Sequence, residues 1–519
     1  MFSLKNILFV NLPLSISIFH LSLMLFSFHK YYGNVWIFII YNILIFLYLF
    51  YSFAKSNFFF DKFLSLLIYL GFGFKLTYSF FTIGHLSEVS SVLIKKIDCD
   101  LYKDCRSKQF ELISSGELYD DALKIVIIAV MVLLLLSFFS NKFIKIKSQN
   151  NNKPNLIYQN NRFFIIFFLI ISSIIIVLVN YNFGIFQKGL SSNYIVKPVF
   201  TWLLMFGLSS LFCTLAYIEF LRSKPSIYIM MCIMFLENFL SSLSSLSRGM
   251  IYNSSSYFLA LGKFKYSFNL IKTSIIFLFM IILFVISLFF SMNLRQDKYA
   301  ENLSKNNLVS YNSEEKIGFE KTIYFSSETN KFKNKSLINL QNIDLKNEIQ
   351  KSSFYEYINH IILYRWVGIS ELILVMEYKD INIDLFKSFL IEKNLNKTPM
   401  FDDVIRNQNL DVDRNIHNPI STPGFLAFLY TSGNLFIVIS GIIIFYVLCT
   451  FVESLTYRLS KNNFFLTALI GQTLAYRLIH FGVNTGHSYK FLIAVLFTIL
   501  ICYLLTNFFL KKNPKRNNF

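Results

Sequence analysis

Charge is scarce in this chain. Only 15% of its 519 residues are Asp, Glu, Lys or Arg, against about 25% in soluble domains, and acids are the rarer sign, 30 against 49 Lys plus Arg. The other side of that balance excludes a soluble fold: 55% of the residues are hydrophobic and Phe alone contributes 61. A water-soluble core has no place for so much apolar surface, whereas a bilayer has. Cysteine is sparse as well, with six in all. Cys213, Cys232, Cys449 and Cys502 lie in apolar runs and read as inert core residues. Cys99 and Cys105 share one polar loop and are expected to form a small disulfide if that loop faces an oxidising compartment. No P-loop, G-x-S-x-G or H-E-x-x-H is spelled, and no clear metal cage. No nucleic-acid-binding motif accompanies the formal charge of +19, which is therefore assigned to membrane topology and anionic lipid. No internal repeat is visible, which argues against a transporter built from duplicated halves. No small-residue cleavage site follows the first apolar run, so it is read as a retained span.

What is present is apolar sequence in span-sized blocks. A span needs roughly 20 apolar residues, and such blocks fall near 7–27, 34–53, 62–84, 121–141, 162–182, 197–220, 226–246, 249–262, 271–293, 434–455, 463–480 and 488–510. The eighth is short and polar at Tyr252–Tyr257, as in a broken or re-entrant helix. Basic loops cluster around Lys142–Arg162, Arg222–Lys224, Lys263–Lys265 and Lys511–Arg516. Twelve crossings put all of these on one side, the cytoplasmic one, with both termini. The expected class is an all-α polytopic membrane protein in three parts: a bundle of about nine spans over 1–293, a large outer loop over 294–433, and about three spans over 434–519. In that loop 17 basic residues nearly balance 18 acidic ones. From Phe354 the loop turns apolar at helical spacing, which predicts short helices on or dipping into the membrane surface. Richness in Lys and Asn resembles the imprint of an AT-biased genome and is discounted.

Ionisable residues at membrane depth are costly and mark functional sites. Four groups qualify. Ser247-Arg248-Gly249 places an arginine at the outer end of a span, where a guanidinium can grip a phosphate with two prongs or simply snorkel to lipid head groups. Glu237, earlier on the same span, is expected to be bonded inside the bundle. Tyr364-Arg365-Trp366 sits in an apolar stretch six residues before Glu371, and its aromatic residues suit sugar stacking or interfacial anchoring equally. Arg477 and His480 lie three apart near the outer end of a span, with Asn484 and His487 in the turn that follows. Pro423-Gly424 reads as a turn before a short helix against the membrane, ending near Tyr430. Asp411-Val-Asp413 spells the D-x-D of metal-dependent sugar transferases, but lies in an outward loop where nucleotide sugars are normally absent. Asp402-Asp403 is set aside for the same reason.

At these residues the sequence resembles the bacterial oligosaccharide repeat-unit polymerases, the Wzy-type O-antigen and capsule polymerases. The resemblance rests on Ser247-Arg248-Gly249, on Tyr364-Arg365-Trp366 in the large outer loop, on Pro423-Gly424 with Tyr430 and Gly433 before the last three spans, and on the outer-face pair Arg477 and His480. It implies a GT-C-like glycosyltransferase of the bacterial inner membrane without cofactor or metal. Such an enzyme acts on undecaprenyl-diphosphate-linked glycans at the periplasmic face, alongside a flippase and a chain-length regulator, with no nucleic acid as partner. Arg248, Arg365 and Arg477 would stabilise the departing diphosphate. Glu371 or His480 would serve as base, and Tyr364, Trp366, Tyr430, Asn484 and His487 would contact substrate. An O-antigen ligase shares topology and reaction type. A lipid-linked oligosaccharide flippase is the non-enzymatic rival, without a 140-residue outer loop.

Overall fold

A computed structural model describes residues 10–31, 33–82, 116–143, 153–186, 195–247, 252–264, 268–287, 366–378, 380–392, 400–401 and 424–481, then 485–511, together with 290 and 404. The expected Cys99–Cys105 pair and the site residues Arg248, Tyr364, Arg365 and Asn484 lie outside these described residues, as do Asp402, Asp403, Asp411 and Asp413.

The fold is an all-α membrane protein. Among the described residues ten helices are long and apolar enough to cross a bilayer. Among the described residues nine helices make up the first part of the chain. They are α1 (Leu12–Ser27), α2 (Val35–Lys55), α3 (Phe59–Phe80), α4 (Gly116–Phe143), α5 (Leu156–Phe183), α6 (Lys197–Arg222), α7 (Ile227–Ser244), the nine-residue α8 (Asn253–Leu261) and α9 (Leu270–Ser287). After the long connection come α10 (Ile369–Glu377), α11 (Ile383–Leu390) and α12 (Gly424–Tyr430), then α13 (Leu435–Leu459), α14 (Phe464–Ile479) and α15 (Thr485–Phe509). The described strands, β1 (Lys153–Pro154) and β2 (Leu510–Lys511), pair antiparallel. They tie the start of α5 to the end of α15 at what is here the tail end of the bundle; the opposite end, where the long connection leaves and returns, is the loop end.

The helices start where asparagine lets them. Asn34, Asn155, Asn382, Asn434 and Asn463 each precede a helix, and each side chain accepts from a backbone N–H of its first turn, satisfying donors that have no partner within the helix. The discounted asparagines thus have a structural use. Exposure sorts the helices: α3 and α6 are mostly enclosed, whereas α5 and α9 show most of their apolar length outward. Phe163, Phe164, Phe167 and Phe168 on α5 are all exposed, a face that only hydrocarbon would suit.

The eighth expected span is shorter than the sequence indicates. Nine residues of helix reach about 14 Å at 1.5 Å per residue, less than a bilayer core. The chain nevertheless returns from one end to the other here. At the loop end it turns through Ser245–Ser247, with Leu246 in a left-handed conformation (φ 50°). Asn253 Nδ2 then donates to the Met205 carbonyl partway down α6 at 2.9 Å, and Lys263 Nζ reaches the Ser56 carbonyl at the tail end at 3.3 Å. The serine hydroxyls of the turn satisfy its backbone: Ser242 Oγ donates to the Ser247 carbonyl and Ser245 Oγ to that of Ser241 at 2.7 Å.

Buried charge at the tail end joins helix termini. Lys62 Nζ donates to the carbonyls of Ser52 (2.6 Å), Phe53 (3.1 Å) and Ser56 (2.6 Å), capping the negative end of α2. Glu453 on α13 accepts from Phe59 N and Phe60 N, both at 2.7 Å, and so caps the positive end of α3. Asp61 accepts from Tyr48 Oη at 2.9 Å and from Ser137 Oγ. Glu219 accepts from Tyr158 Oη at 3.0 Å and pairs with Arg222 at 3.0 Å. Glu237 is held inside the bundle as expected, accepting from Ser209 Oγ at 2.9 Å and Ser241 Oγ at 2.8 Å.

Two of the helices expected at the membrane surface are taken into the bundle instead. Every residue of α12 from Gly424 to Leu429 is buried, because the helix is apolar on all sides and offers no polar face to water. On α10, Ile369, Leu372, Ile373 and Val375 are buried with Glu371. Among the described helices of this segment, α11 keeps an amphipathic surface position, with Phe389 buried and Asp384 and Lys387 exposed.

Candidate functional site at the loop end

The third helix widens as it nears the loop end. Tyr69–Phe74 form a π turn, a distortion common at functional sites, and Tyr41 Oη donates to the Phe72 carbonyl at 2.8 Å. Lys75 follows, 3% exposed. Its ammonium donates to the Trp366 carbonyl at 2.8 Å and attracts the carboxylate of Glu371, itself 2% exposed. Gly71, Lys75, Leu76, Ile369 and Ser370 line a small cleft here. The Trp366 ring lies 6.3 Å from that of Phe74, packed on α3.

Around the end of α14 the groups are cationic. The Arg477 guanidinium lies 5.8 Å from the Phe491 ring on α15. Its Nε is buried with no hydrogen-bond partner among the described residues, where it makes no salt bridge. Phe491 meets Phe206 of α6 edge-on at 5.3 Å, and Trp202 Nε1 of α6 donates to Thr498 Oγ1 at 2.7 Å. These contacts draw the loop-end turns of α6, α14 and α15 together, and His487 lies within electrostatic reach of Arg477, Lys490 and Lys197. Four cationic or ionisable nitrogen groups thus share one corner of the bundle, an arrangement suited to an anion.

The predicted residues separate accordingly. Arg477 and His487 come together, as the sequence suggested. His480 caps α14, with its ring 4.4 Å from Tyr476 and Nδ1 2.9 Å from the Tyr476 carbonyl; with Nδ1 donating, Nε2 carries the lone pair. Glu371 belongs with Lys75 rather than with Arg477. Tyr430 ends α12 half-buried, where burial first and Asp121 second push its phenol up.

Lys75, Lys197, Lys490 and Glu377 were not singled out from sequence. Lys75 carries the one available signal, a lysine well inside an apolar span. Lys197 and Lys490 read as ordinary span-end anchors until three helices are seen to converge. Glu377 ends α10 near Tyr119, its Oε1 without a partner among the described residues, and burial pushes its carboxyl up to about 7. An acid kept neutral in the fold but ionising near 4.5 when unfolded stabilises fully below about pH 4.5, and that contribution is lost as pH rises through about 7. Thermal unfolding in detergent from pH 4.5 to 8 should show this decline, and Glu377→Gln should lessen it.

No protein-family model, curated protein or solved structure matches the chain.

Proposed function

We propose that the chain polymerises undecaprenyl-diphosphate-linked oligosaccharide repeat units into O-antigen or capsular polysaccharide at the periplasmic face of a bacterial inner membrane. In this reading the polypeptide crosses twelve times in a GT-C-like arrangement. The tail end and both termini are cytoplasmic, in keeping with Lys153, Arg162, Arg222, Lys224, Lys263 and Lys511 gathered there. The observation that carries the reading is the cationic corner of Arg477, Lys197, His487 and Lys490 at the loop end. The buried charges of the tail end are engaged in joining helices, whereas Arg477 keeps a donor in reserve.

The chemistry needs little else. The terminal hydroxyl of one repeat unit attacks the anomeric carbon of the growing chain. The bond from that carbon to the diphosphate oxygen breaks, and the lipid diphosphate leaves with the electron pair. A diphosphate is already a good leaving group, so fixed cations that meet its developing charge are the main requirement. Arg477 serves here, with Arg248 and Arg365 as the further arginines named by the sequence. The hydroxyl proton passes to a base, for which His480 and Glu371, the latter attracted by Lys75, are the candidates.

Two measurements test this. Cysteine labelling with an impermeant reagent should mark positions in 85–120 and 294–433 from outside and 141–161 only from inside; outside labelling at position 150 inverts the topology and removes the site. Deleting the gene should collapse the lipid-linked glycan ladder to single repeat units on the periplasmic side. Single units trapped in the cytoplasm would mean transport, and a full-length ladder left on its lipid carrier would mean ligation.

A further inference from the structure

The segment Trp366–Gly368 passes through a slot too narrow for side chains. A Cβ on Gly71 would collide with the Val367 carbonyl oxygen, and one on Gly368 would lie 2.9 Å from the Gly71 carbonyl and 3.1 Å from Lys75 Cδ. Gly424, at φ +71°, faces the Val367 side chain on the other wall, and a Cβ there would lie 3.1 Å from the Ile479 carbonyl. The π turn of α3, the returning chain, the start of α12 and the end of α14 are therefore stacked in direct contact. Ile479 is two residues beyond Arg477 on α14. Backbone-to-backbone contact of this kind transmits position, because close-packed interiors do not deform gradually.

Lys75 holds the returning chain in that slot. A lysine buried in a span is expensive unless its charge is used. Here the ammonium has the Trp366 carbonyl at 2.8 Å and the attraction of Glu371 three residues past Gly368. Both anchors belong to the segment that enters the slot, one on each side of it. We propose that Lys75 is a positioning residue for glycan polymerisation. It clamps Trp366–Glu371 between α3 and the Gly424–Ile479 wall, and the clamped segment fixes the end of α14 on which Arg477 stands. The inference rests on the polymerase reading for its reaction, but the clamp can be observed without it.

The experiment uses the full-length chain with Ser370→Cys as reporter in the cleft beside Lys75, and the same chain without Ser370→Cys as background. Lys75→Met should make Cys at this position label faster with an impermeant maleimide. It should also lower kcat on lipid-linked repeat units by roughly a hundredfold, the scale of an ångström of misplacement near a reacting group, with KM little changed. Lys75→Arg, which keeps a charged donor, should restore slow labelling and much of kcat. Unchanged labelling in Lys75→Met overturns the clamp. Faster labelling with normal kcat per folded molecule leaves Lys75 a structural residue only and overturns the positioning role. If the wild-type chain extends no glycan, the polymerase reading falls with the positioning role, while labelling still decides whether Lys75 holds the segment.

Discussion

Arg477→Ala abolishes the glycan ladder and leaves single repeat units on the periplasmic side, with the protein still in the membrane at its usual level. Its guanidinium lies 5.8 Å from the Phe491 ring with its buried Nε unpartnered among the described residues, so the described fold does not use every donor it carries. Loss of one fixed donor to a developing negative charge costs about 3–4 kcal/mol of barrier, or roughly a hundred- to thousandfold in rate. Lysine at this position restores only part, since a point charge cannot reproduce the planar two-pronged contact. Arg248→Ala and Arg365→Ala have the same expected outcome. Lys387→Ala is the control: its exposed pair with Asp384, at 3.4 Å, is of the kind worth about 0–1 kcal/mol. Normal ladders from the arginine variants at normal expression would remove diphosphate stabilisation from the mechanism.

Lys62→Met has its effect on the protein itself. The lysine is 1% exposed and satisfies the carbonyls of Ser52, Phe53 and Ser56. Its loss takes one donor from each of those carbonyls, although Ser52 keeps Ser56 N and Ser56 keeps Lys263 Nζ, and removes the neighbouring positive charge from Asp61. Breaking a buried charged set by removing one member costs about 3–5 kcal/mol, a large fraction of the stability of an ordinary fold. The expected outcome is a marked fall in membrane level and in the unfolding temperature in detergent. Adding Asp61→Asn should recover part of the loss, because the carboxylate left without its cation is then gone. An unfolding temperature equal to wild type in Lys62→Met would show that these caps do not hold α2 and α3 together.

The spans were legible because hydrocarbon imposes a length and a composition that no other solvent does. Asn34 or Asn463 could be read as caps only once the helix behind each was fixed, since asparagine in polar sequence has many other uses. The returning chain from Ser245 to Lys263 reads poorly because side chains hold it, Ser245 Oγ on the Ser241 carbonyl and Asn253 Nδ2 on the Met205 carbonyl of α6, pairings with no periodicity. Arg477 and His487 were visible as neighbours because the turn between them is short. Lys197 joins them across 280 residues of chain, brought there by the packing of α6 on α15, including the Trp202–Thr498 hydrogen bond and the Phe206–Phe491 ring contact. The burial of Glu371 could not be foreseen either, since α10 has a surface-helix pattern and is enclosed only because Gly71, Gly368 and Gly424 let the chain through.

The cap on α3 also bears on biosynthesis. Phe59 and Phe60 offer their N–H groups to a carboxylate 394 and 393 residues further along the chain. At about 5–20 residues per second of translation, Glu453 emerges roughly 20–80 s after them. Hydrocarbon supplies no substitute acceptor in that interval. Until then the start of the third pass needs another acceptor for these groups, from water at the aqueous boundary or from the insertion machinery. Ribosome-stalled chains ending before residue 453 should show position 60 open to an impermeant thiol reagent, and chains ending well beyond it should show it closed.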